Sequence, residues 1–152
     1  MCTYNGERYL QAQLQSILDQ TRHPNELIIC DDASRDSTLA ILENFSIQAP
    51  FKVHIQKNLK NLGYVKNFEQ AIALCNQDIV FLCDQDDVWE ATKISEVMAR
   101  FEADPDIGMV LHNFTNIDGQ GLPYIQPPEQ YGLHRLLAED LPEDMQRHSI
   151  RS

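Results

Sequence analysis

Apolar positions along this chain switch between two spacings, and the switching predicts an ordered series of elements. From Glu7 onward Leu10, Leu14, Ile17 and Leu18 fall three or four apart, which predicts a helix. It ends before Pro24, because the residue preceding a proline is pushed out of the α region. Glu26 to Cys30 (ELIIC) then reads as a buried strand that ends in Asp31 and Asp32. Asp36 or Ser37 opens a helix carrying Leu39, Leu42 and Phe45, with Asp36 at the favourable end of the helix dipole. Phe51 to Gln56 alternates strictly, with Phe51, Val53 and Ile55 on one face, as in an edge or half-exposed strand. After a polar loop from Lys57 to Gly63, a helix carries Val65, Phe68, Ile72 and Cys75 on one stripe. Ile79 to Cys83 (IVFLC) is short, apolar and rich in β-branched and aromatic residues, the pattern of a strand buried on both faces. A helix after Glu90 carries Ile94, Val97, Met98 and Phe101, and Pro105 closes it. Met109 to Phe114 is the last predicted strand. Beyond Asp118 the residues Gly119, Gly121, Pro123, Pro127 and Pro128 mark loop, with a short helix over Leu133 to Leu141 and a polar end expected to be poorly ordered.

Strands alternating with helices imply right-handed βαβ units and a mostly parallel sheet between helical layers. The helix at Glu7 has no strand in front of it. The turn Thr3 to Gly6 reads as a strand-to-helix junction, so the chain is expected to be a fragment at its amino end.

Acids gather where the strands leave the sheet. Asp31 and Asp32 follow one strand, and Asp84, Gln85, Asp86 and Asp87 follow another. In open parallel sheets this carboxyl edge is where ligands bind. Three carboxylates in one short loop repel one another unless a cation joins them, and hard oxygen ligands favour Mg²⁺ or Mn²⁺. The formal charge of −11 and the lack of a basic stripe argue against a nucleic-acid partner. An anionic substrate would need a metal or local positive groups to approach such a surface. No apolar run approaches the ~18 residues that cross a bilayer. The four cysteines, Cys2, Cys30, Cys75 and Cys83, form no C-x-x-C pair and read as buried reduced thiols, which fits a cytoplasmic protein. Val88 and Trp89 break the Ca²⁺-loop pattern begun by Asp84, and neither a phosphate-cradling loop nor a dinucleotide fingerprint is present.

Five stretches together resemble the glycosyltransferases of family 2, with the GT-A fold. They are CTYNGERYLQAQLQSILDQT, ELIICDDASRDST, NLGYVKNFEQAI, FLCDQDDVW and the following Lys93, and they cover about residues 1 to 118. The form DQDDVW is especially similar to rhamnosyltransferase-type enzymes of bacterial surface-polysaccharide assembly. The resemblance implies a Rossmann-like, three-layer α/β/α domain, incomplete here, over residues 1–118, with 119–152 as linker or irregular tail. It implies an inverting, metal-dependent transfer of a sugar from a UDP- or dTDP-sugar to a saccharide or lipid-linked saccharide acceptor. The enzyme would be cytoplasmic, at the inner face of the membrane if peripherally attached. In that family the second acid of the earlier pair, matched by Asp32, meets the pyrimidine, with Asp31 and the main chain near Thr3, Tyr4 and Asn5 beside it. Asp84 and Asp86 would hold Mn²⁺ or Mg²⁺, Asp84 and Gln85 would contact the nucleotide, Lys66 would meet phosphate, and Trp89 would line the sugar side or pack under the loop. Apart from Met1 and Cys2, the family's first strand, and its acceptor-binding half with the general base, have no counterpart in this sequence. A frameshift or truncation would account for the tail from Pro123 onward. The competing readings are an inactive remnant of such an enzyme, and a D-x-D phosphatase or receiver-type Mg²⁺ domain, for which Val88 stands where threonine is needed.

Overall fold

The computed structural model describes residues 1–123. The chain parts into two units, Met1–Glu96 and Val97–Ser152, each taken separately here.

In the first unit β2 (Glu26–Asp31) is the middle strand of a parallel sheet, flanked by β1 (Cys2–Thr3) and β3 (Lys52–Lys57). Register pairs Cys2 with Cys30 on one side, and Glu26 with Lys52 through Asp31 with Lys57 on the other. Leu27, Ile28, Ile29 and Cys30 are all buried, so β2 faces apolar cover on both sides. Burying each such side chain contributes about 1.5–3 kcal/mol. Cys2 and Cys30 pack with Ala71 and Phe68 of α3 (Tyr64–Ala73). Right-handed crossovers put α1 (Leu10–Leu18) and α2 (Thr38–Gln48) on the face opposite α3, giving three layers. Helix α1 buries Leu10, Leu14 and Ile17 as its spacing predicts, together with Gln13 and Ser16. Helix α2 starts after Asp36, whose Oδ1 accepts from the Thr38 N–H at 3.0 Å.

Three expectations are corrected. Ile79 to Cys83 joins no ladder among the described residues. Its backbone link to β1 is one hydrogen bond, from Cys2 N–H to Cys83 O at 3.3 Å, and Val80 and Leu82 are 41% and 63% exposed. Strand β1 has two residues, both paired with β2 on one side. The apolar stripe of α3 faces inward only in part: Phe68 packs on the core and Cys75 is half-buried, while Val65 and Ile72 are exposed and Asn67 and Ala71 take the buried places. The inward positions answer a polar demand, since Asn67 Nδ2 donates to the Cys30 carbonyl at 2.7 Å. Third, Met109 to Phe114 forms no strand ladder among the described residues, and Met109, Leu111 and Phe114 are exposed.

Helix α4 (Lys93–Ala103) carries Ile94 and Val97 inward. In the second unit a turn built on Asp118 follows. Asp118 Oδ1 accepts from the N–H groups of Gln120 and Leu122, and Ile117 bridges Pro123 in antiparallel fashion. The expected helix over Leu133 to Leu141 and the polar end lie outside the described residues.

Candidate nucleotide and metal site

The site is built at the carboxyl ends of β1 and β2, where four backbone and side-chain systems meet at the turn Thr3–Gly6. Asn5 adopts φ 46°, a left-handed value that Asn tolerates because its short amide bonds locally. Its Oδ1 accepts from Arg35 N–H at 2.9 Å, and its own N–H donates to Ser34 Oγ at 2.9 Å. Gly6 N–H donates to Thr38 Oγ1 at 2.8 Å, closing the turn onto the start of α2.

Asp31 is fully buried. Its Oδ2 accepts from Thr3 Oγ1 at 2.9 Å, and its Oδ1 accepts from Ser34 N–H at 2.9 Å. It therefore fixes the two strand ends to each other.

Asp32, 3% exposed, is the hub of the following loop. Its Oδ1 accepts from Asn58 Nδ2 at 2.9 Å and Leu62 N–H at 2.8 Å, and its Oδ2 accepts from Gly63 N–H at 2.9 Å. Gly63 sits at φ 82°, a conformation open to glycine, and it opens α3, so the carboxylate lies at the positive end of that helix. A carboxylate has about four lone-pair positions. Three are used here, which leaves one on Oδ2.

Behind Asp32 runs a network of amides that the sequence pattern did not reveal. Asn58 Nδ2 also donates to Asn67 Oδ1 at 2.9 Å, and Gln70 Nε2 donates to Asn58 Oδ1 at 2.9 Å. The signal was faint: Asn58, Asn61 and Asn67 around Gly63 read as an ordinary polar loop running into a helix.

The second acid segment is tied to the same turn. Gln85 Oε1 accepts from Tyr4 N–H at 2.8 Å, and Gln85 Nε2 donates to Tyr4 O at 3.2 Å. Thr3 O meanwhile accepts from Asp32 N–H at 2.8 Å. Two consecutive residues, Thr3 and Tyr4, thus bond both acid-bearing segments. The electrostatics agree. Burial, first of all, pushes the Cys2 thiol up to about 12; the amino terminus opposes this, while Cys30, Asp84 and Asp32 add to it.

Asp84 is held above the usual carboxylate range, first by burial and then by the charges of Asp87 and Asp86. This crowding of hard oxygen ligands fits a divalent cation. No group of three or more His, Cys, Asp or Glu side chains stands in ligating geometry among the described residues, so phosphate or water oxygens would complete the shell. Lys93 supplies local positive charge. Burial lowers its pKa, while Cys83 and Asp87 act to raise it, and its Nζ lies 4.2 Å from the centre of the Trp89 ring. Trp89 is buried against Phe81, with ring centroids 5.9 Å apart, and its indole N–H has no hydrogen-bond partner among the described residues. Lys66, in the first turn of α3, is exposed and paired with Glu69.

The parallel sheet, with the acidic end of β2 and the acidic loop at Asp84–Asp87 tied to one turn, is consistent with a GT-A-like domain. The chain belongs to glycosyl transferase family 2, whose family model matches residues 1–148, past the Asp118 where the motif resemblance stops. It is 37% identical over 102 residues to a dTDP-rhamnosyl transferase, RfbG, of Shigella flexneri, covering 64% of this chain and 35% of that protein. It is 31% identical over 118 residues to chondroitin synthase of Escherichia coli, covering 78% of this chain and 17% of that one. Among solved structures, S. aureus TarS 1-349 in complex with UDP superposes with a TM-score of 0.69 at 25% identity, over 81% of this chain and 36% of that chain. The mannosyltransferase PcManGT of Pyrobaculum calidifontis, in complex with GDP-Man and Mn²⁺, gives 0.62 at 22% identity, over 74% of this chain and 34% of that chain, and shows the shared fold. The chain spans about a third of the length of RfbG and of TarS 1-349. Family membership removes the ground for the phosphatase and receiver readings.

Proposed function

We propose that residues 1–118 form the donor-nucleotide part of an inverting, metal-dependent glycosyltransferase that uses a UDP- or dTDP-sugar. The observation that carries this reading is the bonding of Thr3 and Tyr4 to both acid segments, Asp31–Asp32 on one side and Gln85 on the other. One nucleotide diphosphate laid across that turn would meet a base-reading acid at one end and a charge-neutralising site at the other. The dTDP named for the Shigella relative and the UDP bound to TarS are both pyrimidine diphosphates, in keeping with this choice.

In this reading the free lone pair on Asp32 Oδ2 accepts the pyrimidine N–H. An acceptor-only group selects for a base edge that presents a donor. The loop at Asn58–Gly63 holds that oxygen still. Asp84 and Asp86 would hold Mn²⁺ or Mg²⁺. When bound, such a cation supplies Lewis-acid stabilisation of the charge that develops on the leaving diphosphate. Lys93, held half-buried beside the loop, offsets the repulsion among the carboxylates and lets an anionic donor approach. Lys66 reaches phosphate only by releasing Glu69. The acceptor is a saccharide or lipid-linked saccharide, the setting is cell-surface polysaccharide assembly, and the location is the cytoplasm or the inner membrane face. A general base must take the acceptor hydroxyl proton. No residue described here is assigned that role.

The test is calorimetric titration of the chain with UDP or dTDP, with and without Mn²⁺. Binding that strengthens with Mn²⁺ and weakens in Asp86→Ala is expected. The absence of binding with metal present, or undiminished binding in Asp86→Ala, overturns the proposal.

A further inference from the structure

The loop that bears the D-x-D acids is pinned from outside at both ends. On one side the Cys83 carbonyl accepts from Cys2 N–H, and Gln13 Nε2 contacts Cys83 Sγ at 2.8 Å. On the other side Trp89 N–H donates to Ser16 Oγ at 3.0 Å, and Gln20 Nε2 donates to Glu90 O at 2.7 Å. Between these anchors, among the described residues, the hydrogen bonds that tie positions 84–88 to another element come from one side chain, Gln85. The turn it meets does not depend on it, since Ser34, Arg35 and Thr38 already hold Asn5 and Gly6. The dependence therefore runs one way, from loop to turn.

Gly6 provides an independent observation. A Cβ placed there would run into the Gln85 carboxamide, 2.7 Å from its Cδ. The turn has kept a hydrogen atom where the amide lies.

We propose that Gln85 is a positioning residue: its carboxamide grips both main-chain groups of Tyr4, over the space left by Gly6, and so sets the loop that presents Asp84 and Asp86 to the cation. This rests on the donor-site reading above and gives Gln85 a role other than direct nucleotide contact. Both polar atoms of its side chain are engaged by Tyr4, so it acts through the loop.

Two readouts test it on the full chain. One is hydrogen–deuterium exchange over positions 84–88 without metal. The other is Mn²⁺ affinity in the presence of saturating UDP, read from the paramagnetic resonance of free Mn²⁺. Gln85→Met keeps the length of the side chain and removes both bonds. Faster exchange confined to that segment is expected, with Mn²⁺ held about tenfold more weakly, the equivalent of one to two net hydrogen bonds. Gly6→Ala reaches the same state from the other side, because its methyl displaces a flexible side-chain end rather than backbone. The double variant should lose no more than either single one. If Gln85→Met fails to fold, Gly6→Ala carries the decision alone. Wild-type Mn²⁺ affinity in a folded single variant overturns the proposal, as do losses that add in the double variant. A wild-type chain that binds no Mn²⁺ with UDP overturns the donor-site reading itself, and the positioning role with it.

Discussion

Replacing Asp32 probes the site through stability alone, with no ligand needed. Its carboxylate accepts three bonds, from Asn58 Nδ2, Leu62 N–H and Gly63 N–H, while 3% exposed. Asp32→Asn preserves volume and keeps one acceptor oxygen. With that oxygen turned toward Asn58 and Leu62, the new NH₂ group faces the Gly63 N–H, donor against donor. One charge-assisted bond is lost, at about 1.5–3 kcal/mol. Asp32→Ala removes all three bonds; Leu62 N–H and one Asn58 amide hydrogen lose their acceptor, while Gly63 N–H keeps Asn61 Oδ1 at 3.1 Å, for a total of about 3–6 kcal/mol. Domains of this kind are stable by about 5–15 kcal/mol, so the alanine variant approaches the unfolding limit. Urea denaturation followed by far-ultraviolet circular dichroism measures both, with the slope checked for a common unfolded state. The signature is the ratio: alanine should cost two to three times what asparagine costs. An asparagine variant within about 0.5 kcal/mol of wild type, with alanine no worse, would mark Asp32 as an ordinary surface acid and refute the hub.

Other perturbations follow from the same geometry. Ala33 sits at φ 64°, directly after the acid pair. Ala33→Gly relieves about 1–2 kcal/mol of left-handed strain and loses about 0.5–1 kcal/mol to unfolded-chain entropy, so a gain of up to about 1 kcal/mol in urea denaturation is expected, and a loss would contradict the assignment. Burial alone would raise the Asp36 carboxyl, but the Thr38 hydroxyl and the N–H groups of Thr38, Glu7 and Asp36 itself outweigh it and hold the pKa below 3.8. A depressed folded pKa means that its stabilisation is present above the unfolded value and is lost as pH falls below 3.8; in Asp36→Asn, acid titrations should show a shallower fall in stability over that range. Burial pushes the Cys83 thiol to about 11 and the Cys2 thiol to about 12, so both should resist alkylation at pH 8 until denaturant is added. Rapid native labelling of either would contradict their burial.

The parts of the fold that were legible in the sequence are those decided by local spacing. Strand β2 carries a continuous apolar run and is buried on both faces, and β3 alternates and lies at the edge. Helix α1 shows its inward leucines at helical intervals. Where a distant partner decides the outcome, the pattern misled. Ile79 to Cys83 has the composition of a central strand, but pairing needs a neighbour, and β1 presents two residues. On helix α3 the apolar stripe held for Phe68, which packs on the core, but Asn67 took a fully buried place beside it, with its amide bonded to the Cys30 carbonyl and Asn58. Buried amides are nearly invisible to hydropathy: Gln13 on α1 and Gln20 just after it are 0% and 4% exposed. The acids were legible as two clusters because charge that follows an apolar run is a local signal. The partner of Gln85 was not, since Tyr4 lies 81 positions earlier and contributes only main-chain atoms.

The two borders of the sheet treat a neighbouring molecule very differently. Along β3 stand the exposed Lys52 and Lys57, and a short strand bearing lysines is a poor template for another chain. Beside β1 the opposite holds: Val80 and Leu82 are exposed, next to backbone that joins no ladder among the described residues. At high protein concentration copies should therefore meet flank to flank on the acid-bearing side. The net charge of −11 keeps them apart at low salt, and added salt weakens that repulsion. Handling of this protein should accordingly favour dilute, low-salt buffers, and a charged residue in place of Leu82 is the substitution that would keep it dispersed.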